Sequence, residues 1–111
     1  SSLIPICPVC KKPMEMNLRC DESFVEDEGW KEAKKRYEDF IVNHHNKKVL
    51  YLEIGVGYST PTWIKFPFMK YVYNNKDALY VVLNSENQIV PKEIEERTIS
   101  IQGDINKVII E

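Results

Sequence analysis

The sequence predicts an α/β domain with a parallel sheet, preceded by a loop-rich segment that carries a cysteine pair. Three observations carry that prediction. Short apolar runs, "KVLYLEIGV", "ALYVVLN" and "TISIQ", alternate with helical patterns from residue 48 onward. Each run ends in glycine or polar residues, as "GVGYSTP", "LNSE" and "QGD". Residues 1–27, by contrast, hold Pro5, Pro8, Pro13, "CPVC" and an acidic cluster, with little periodicity of either kind.

At 111 residues the chain has room for one domain and a modest core. A formal net charge of -2 gives no electrostatic case for nucleic acid or for an anionic membrane surface. No apolar run reaches the roughly 18 residues that a membrane span needs. The start, "SSLIPIC", lacks the basic region and long apolar stretch of a secretory signal, so the chain reads as cytoplasmic. Three cysteines, two of them in a CxxC, suit metal binding or redox chemistry better than a disulfide framework.

Residues 1–27 read as a unit that needs something other than an apolar core to hold it. Residues 28–46 read as a helix, because Trp30, Ala33, Tyr37, Phe40 and Ile41 recur on one face. The preceding "EDE" suits the positive end of its dipole, and "NHHNKK" supplies a stop. "KVLYLEIGV" reads as a strand buried on both faces. A helix is expected to follow from Thr60, with Pro61 at its first position and Pro67 interrupting it. "ALYVVLN" is a second buried strand, "VPKEIEER" a short helical turn, "TISIQ" a third strand, and "GDINKVIIE" a last helix capped by Asp104.

Each candidate site carries two readings. Gly55 and Gly57 after a buried strand let backbone approach a ligand, and with Ser59 and Thr60 they suit a phosphate or ribose. The same glycines fit a tight turn that needs them for backbone angles alone. Asn84 and Glu86 can hydrogen-bond ribose hydroxyls or simply form a polar turn. Gly103 and Asp104 can border a ligand or only cap a helix. In a parallel sheet all three strand ends lie along one edge, where ligands bind in open α/β folds, and that coincidence favours a ligand. Cys7 and Cys10 can hold one tetrahedral metal, typically zinc, but supply only two of four ligands. Cys20 is a distant third, and His44 and His45 sit at a helix end. Arg19 can grip an anion or pair with Asp21 or Glu22 on the surface.

The order of these motifs resembles the C-terminal part of the sirtuin (Sir2) family of NAD-dependent protein-modifying enzymes. A CPxC knuckle is followed by an "LR…F…E" segment, a helix, and a strand ending in a glycine-rich Ser/Thr-Pro turn. Then come a strand ending "LNSE" and a strand ending "GD" before the last helix. The resemblance implies the C-terminal half of a Rossmann-like parallel sheet over residues 28–111, and half of a zinc-ribbon knuckle with a linker over residues 1–27. It implies NAD and Zn2+ as cofactors. Cys7 and Cys10 match the family's second metal-binding pair, and Gly55, Gly57, Ser59 and Thr60 match the turn that lines the NAD site. Asn84 and Glu86 match the pair near the adenosine ribose, and Gly103, Asp104 and Ile105 the segment bordering the adenine. Phe24 and Val25 match the stretch that pairs with substrate peptide in deacetylating members.

The chain departs from deacetylating sirtuins at Gly55-Val56-Gly57, where those have Gly-Thr-Ser, and it lacks their Phe-Gly-Glu. "PMEMNLR" and "GVGYSTP" are more similar to bacterial sirtuins associated with macrodomain proteins. That branch implies protein ADP-ribosyl transfer, with a lipoylated carrier protein as acceptor, a macrodomain protein as partner, and a catalytic arginine at the position of Arg19. The family's first NAD-binding loop, catalytic histidine motif and first cysteine pair have no match here. The expectation is therefore a fragment, inactive alone, of a parent enzyme that is a protein ADP-ribosyltransferase or deacylase. An unpaired edge on the first strand implies self-association of the fragment or a partner chain. Two alternatives stand beside this: a stand-alone zinc-binding interaction module without catalysis, and a methyl-donor nucleotide binder built on "EIGVG".

Overall fold

Three short strands pair in parallel in the order β1-β2-β3 (Leu50–Ile54, Leu79–Asn84, Thr98–Gln102) in the computed structural model, which describes residues 3–110. Four helices accompany them: α1 (Glu28–His44), α2 (Lys65–Asn74), α3 (Lys92–Glu95) and α4 (Ile105–Ile110). The chain divides into two compact units, one up to Arg36 and one from Tyr37 onward. The sequence drew that boundary at residue 27, ahead of the helix. Among the described residues no helix is long and apolar enough to cross a membrane.

In the second unit the register is Leu52↔Val81↔Ile99 and Ile54↔Leu83↔Ile101, so alternate residues of all three strands share a face. One face carries Tyr51, Tyr80 and Val82, and with Val49, Val72, Ala78 and Ile94 they form the core. Phe68, Met69 and Tyr71 of α2 pack against it. The opposite face leaves Leu50, Leu52, Ile54, Ile99 and Ile101 exposed. The strand expected to be buried on both faces is thus buried on one, with alternation along its length. Its letters are those of a doubly covered parallel strand, but among the described residues Leu50, Leu52 and Ile54 stay exposed.

α2 starts at Lys65, later than Thr60, and residues 58–64 form bends and turns instead. The amide of Phe66 donates to the Pro61 carbonyl at 3.0 Å. Pro67 then falls in the first turn, where an N–H has no intrahelical partner, so it neither kinks nor breaks the helix. At the other end Arg97 donates to the carbonyls of Val72 and Asn75, satisfying groups the helix leaves open.

α1 matches the expected helix closely. The Asp27 carboxylate accepts from the Trp30 amide at 2.8 Å, an N-cap bond from the "EDE" run, which the sequence marks only as suited to the helix dipole. The rings of His44 and His45 bond the carbonyls of Phe40 and Val42 at its end. Most of its expected apolar face is exposed, Tyr37 and Phe40 included, with Ile41 partly covered by the core of the second unit. Tyr37 lies beside Tyr71, and desolvation chiefly pushes its phenol up to about 12.

Candidate functional site

The three strands run the same way, so Ile54, Asn84 and Gln102 finish on one rim. The turns that leave them are tied together. Gly55 donates its amide to the Leu83 carbonyl at 2.8 Å, and Gly103 donates to the Asn84 carbonyl at 2.9 Å. Asn84 Nδ2 donates to the Val56 carbonyl at 3.1 Å, while its Oδ1 accepts from the Glu86 amide at 3.1 Å. Asp104 Oδ1 accepts from the Asn106 amide at 2.9 Å at the start of α4. Ser59, Thr60, Glu86 and Asp104 are exposed along these turns, and Ile105 is half-buried.

The two glycines of the first turn differ in what the protein itself demands of them. Gly55 has φ 67°, in the left-handed region, and a Cβ there would lie 3.1 Å from Ile105 Cδ1. Turn geometry and packing account for it. Gly57 has no such backbone angle, and a Cβ on it would meet nothing nearer than the Ser59 amide at 4.0 Å. Neither backbone nor packing explains why residue 57 lacks a side chain. A group brought close to the turn from outside would.

Beneath the turns lies a cluster that the sequence reading passed over. Lys65 and Glu53 are 0% and 1% exposed and form an ion pair through Nζ and Oε1. Tyr80 donates its hydroxyl to Glu53 Oε2. Lys65 Nζ also donates to Gln88 Oε1 at 2.9 Å and lies 5.0 Å from the centre of the Tyr58 ring. The Tyr58 hydroxyl donates to the Ile89 carbonyl at 2.9 Å. Burial, and then the bond to Glu53, push the Tyr80 phenol far above its ordinary value, so it stays a donor. A lone glutamate in the apolar strand "LYLEI" was the signal: buried there, it requires a partner.

In the first unit, Cys7 and Cys10 stand on a tight hairpin. Cys7 N–H donates to the Lys12 carbonyl at 2.9 Å, Lys11 N–H to the Cys7 carbonyl at 3.0 Å, and Met14 N–H to the Pro5 carbonyl at 2.8 Å. Ile6 and Pro13 form an antiparallel bridge beside them. The amides of Cys10 and Val9 point at the Cys7 sulfur and hold its thiol below the ordinary range. That donor arrangement favours a thiolate and fits a zinc knuckle. Among the described residues no three Cys, His, Asp or Glu side chains come together as a metal site, so the hairpin offers two ligands of a tetrahedral set. Cys20 stands apart and contacts the Asp21 carboxylate at 3.8 Å.

Arg19 pairs with Glu26 at 2.8 Å. Its guanidinium lies 4.0 Å from the centre of the Phe24 ring and 5.9 Å from that of Trp30. The loop that presents it is closed by Asn17, whose amide exchanges two 2.9 Å hydrogen bonds with the backbone of Val25. Asp21 accepts from the hydroxyl and amide of Ser23, which lowers its carboxyl from the ordinary value.

Fold and rim together define an α/β protein with a parallel sheet whose strand-end turns gather on one edge, the usual ligand edge of such sheets. A Staphylococcus aureus protein named "Protein ADP-ribosyltransferase" is 43% identical to the chain over 108 residues, 96% of this chain. The chain spans about a third of that relative, 34% of its length. No family model matches the chain.

Proposed function

We propose that this chain contributes the C-terminal portion of the NAD site of a bacterial sirtuin-class protein ADP-ribosyltransferase. The observation that carries the reading is Gly57: a glycine on the strand-end rim that neither its backbone angle nor the packing around it explains. The order of motifs and the name of the Staphylococcus aureus relative support transfer of ADP-ribose over deacylation. NAD+ supplies an ADP-ribosyl group as its nicotinamide leaves. The chain's own part is to receive the dinucleotide. The turn at Gly55, Gly57, Ser59 and Thr60 offers backbone and hydroxyl donors to phosphate and ribose. Glu86 offers a carboxylate to ribose hydroxyls, while Asn84, already engaged with Val56 and Glu86, shapes the turn it stands in. Gly103, Asp104 and Ile105 border the adenine.

Arg19, fixed by Glu26 and laid on Phe24, serves the transfer as a cation held in a set orientation. Cys7 and Cys10 supply half of a structural zinc site, completed by another cysteine pair. The remaining catalytic parts belong to the rest of the enzyme, the acceptor is a separate lipoylated carrier protein, a macrodomain protein is a partner, and this chain alone is inactive.

The test is nicotinamide release by the complete gene product carrying Gly57→Val. A Cβ at residue 57 meets nothing nearer than 4.0 Å, an ordinary contact, so the melting temperature should hold while NAD+ turnover falls at least about tenfold, the effect of roughly 1.4 kcal/mol. Unchanged turnover in a folded Gly57→Val protein removes the assignment of this rim to NAD.

A further inference from the structure

We infer that Lys65 is a positioning residue that holds the two principal turns of the rim at a fixed spacing, an inference that rests on the rim being the nucleotide site. Lys65 opens α2 directly behind the 55–64 segment, and side chains from three other parts of the molecule meet at its ammonium. Glu53 of β1 takes one N–H and Gln88, from the turn after β2, takes another at 2.9 Å. Tyr58, from the turn after β1, lays its ring 5.0 Å away, and Tyr80 of β2 completes the Glu53 carboxylate. Two further bonds run parallel to this post: Tyr58 hydroxyl to the Ile89 carbonyl at 2.9 Å, and Asn84 amide to the Val56 carbonyl at 3.1 Å.

A buried ion pair is a poor way to gain stability. Desolvating two charges offsets most of their attraction, and apolar residues of equal volume often do as well. What the charged cluster does supply is directionality. Apolar packing tolerates sliding, whereas an ammonium with acceptors in fixed directions accepts one arrangement of its neighbours. Here those neighbours are the walls that dinucleotide phosphates and ribose would touch. Every buried polar side-chain atom among the described residues has a partner, so the cluster is complete without a ligand. It is a support for the site and not itself a subsite. Pre-set walls avoid the ordering cost that mobile turns would add to binding.

Removing Lys65 or Glu53 strands a buried charge, so the informative changes are at the two contacts to the turns. Gln88→Met removes the link to the second turn and keeps the Lys65–Glu53 pair. Tyr58→Phe keeps the ring over Lys65 and removes only the bond to Ile89. In the complete gene product each should raise KM for NAD+ about threefold to tenfold with kcat within about twofold. Tyr58→Phe should leave the melting temperature little changed, while Gln88→Met, which takes one acceptor from the buried ammonium, should lower it modestly without unfolding the protein. The double variant should exceed either single one. A KM equal to wild type in the folded double variant, with Gly57→Val still lowering turnover, overturns the positioning role and leaves the NAD reading intact. If Gly57→Val is also silent, the NAD reading fails first. A loss of kcat and KM together that tracks a lowered melting temperature would assign the cluster to stability alone and overturn the inference.

Discussion

Among the described residues the backbone turns left-handed at two positions, Gly55 with φ 67° and Lys11 with φ 60°. They mark two regions built on different physics. Gly55 sits over a packed sheet, where a glycine relieves both the backbone angle and the crowding by Ile105. Around it lie a core of Tyr51, Val72, Tyr80, Val82 and Ile94 and a fully partnered ion pair. Lys11 sits in a hairpin with no such core. Leu3, Ile4, Ile6, Val9, Met14 and Met16 around it are all exposed, and its turn is defined by backbone hydrogen bonds and by the amides directed at the Cys7 sulfur. One region carries the apolar and ionic contacts to fix its own shape. The other has a shape suited to thiolates and little to enforce it, which is the condition in which a metal ion contributes most to folding.

The largest break of that contrast is Lys65→Met. It keeps the apolar stem and leaves the Glu53 carboxylate buried without its cation, a change that typically costs about 3–5 kcal/mol. Urea unfolding followed through the core tyrosines should show this loss. Amide exchange at Cys7 and Met14 in the hairpin should stay as it was. A loss below about 1 kcal/mol would mean that the pair is solvated and that the sheet unit is less self-sufficient than its burial implies.

Much of this difference was readable in the letters. The proline-rich start, with little periodicity, announced a region without a core, and "VLYLEI", "ALYVVLN" and "TISIQ" gave the strands, their direction and their common rim. Three things were not. The start of α2 was misplaced because Thr60-Pro61 has the chemistry of a helix entrance, yet the turn was extended to Lys65, where the buried ion pair anchors the helix. The Lys65–Glu53–Gln88 cluster joins residues 12 and 23 positions apart, and no local pattern encodes such a meeting. Glu53 alone hinted at it. The two glycines of the rim could not be separated by sequence either, since their difference lies in a torsion and a distance.

A smaller change acts on the sheet side of the same comparison. Gly55→Ala places a Cβ at a left-handed residue, at a cost of about 1–2 kcal/mol, and presses it against Ile105. The melting temperature should fall and α4, which carries Ile105, should exchange its amides faster. Gly57→Val, two residues on, should not lower the melting temperature at all. Equal destabilisation by the two would erase the distinction on which the functional reading depends.

The smallest effect has the opposite sign and lies in the hairpin. Lys11 adopts a conformation that a side chain disfavours by about 1–2 kcal/mol, while its amide still bonds the Cys7 carbonyl at 3.0 Å. Glycine removes that strain but adds freedom to the unfolded chain, so Lys11→Gly should tighten the hairpin by about 0.5–1 kcal/mol net. Slower exchange of the Cys7, Lys11 and Met14 amides would report it, with unfolding of the sheet unit unchanged. The same variant should take up zinc more readily, because a turn already closed leaves less ordering for the metal to supply. Faster exchange would mean that the Lys11 side chain holds the turn, and that this region too relies on side-chain contacts.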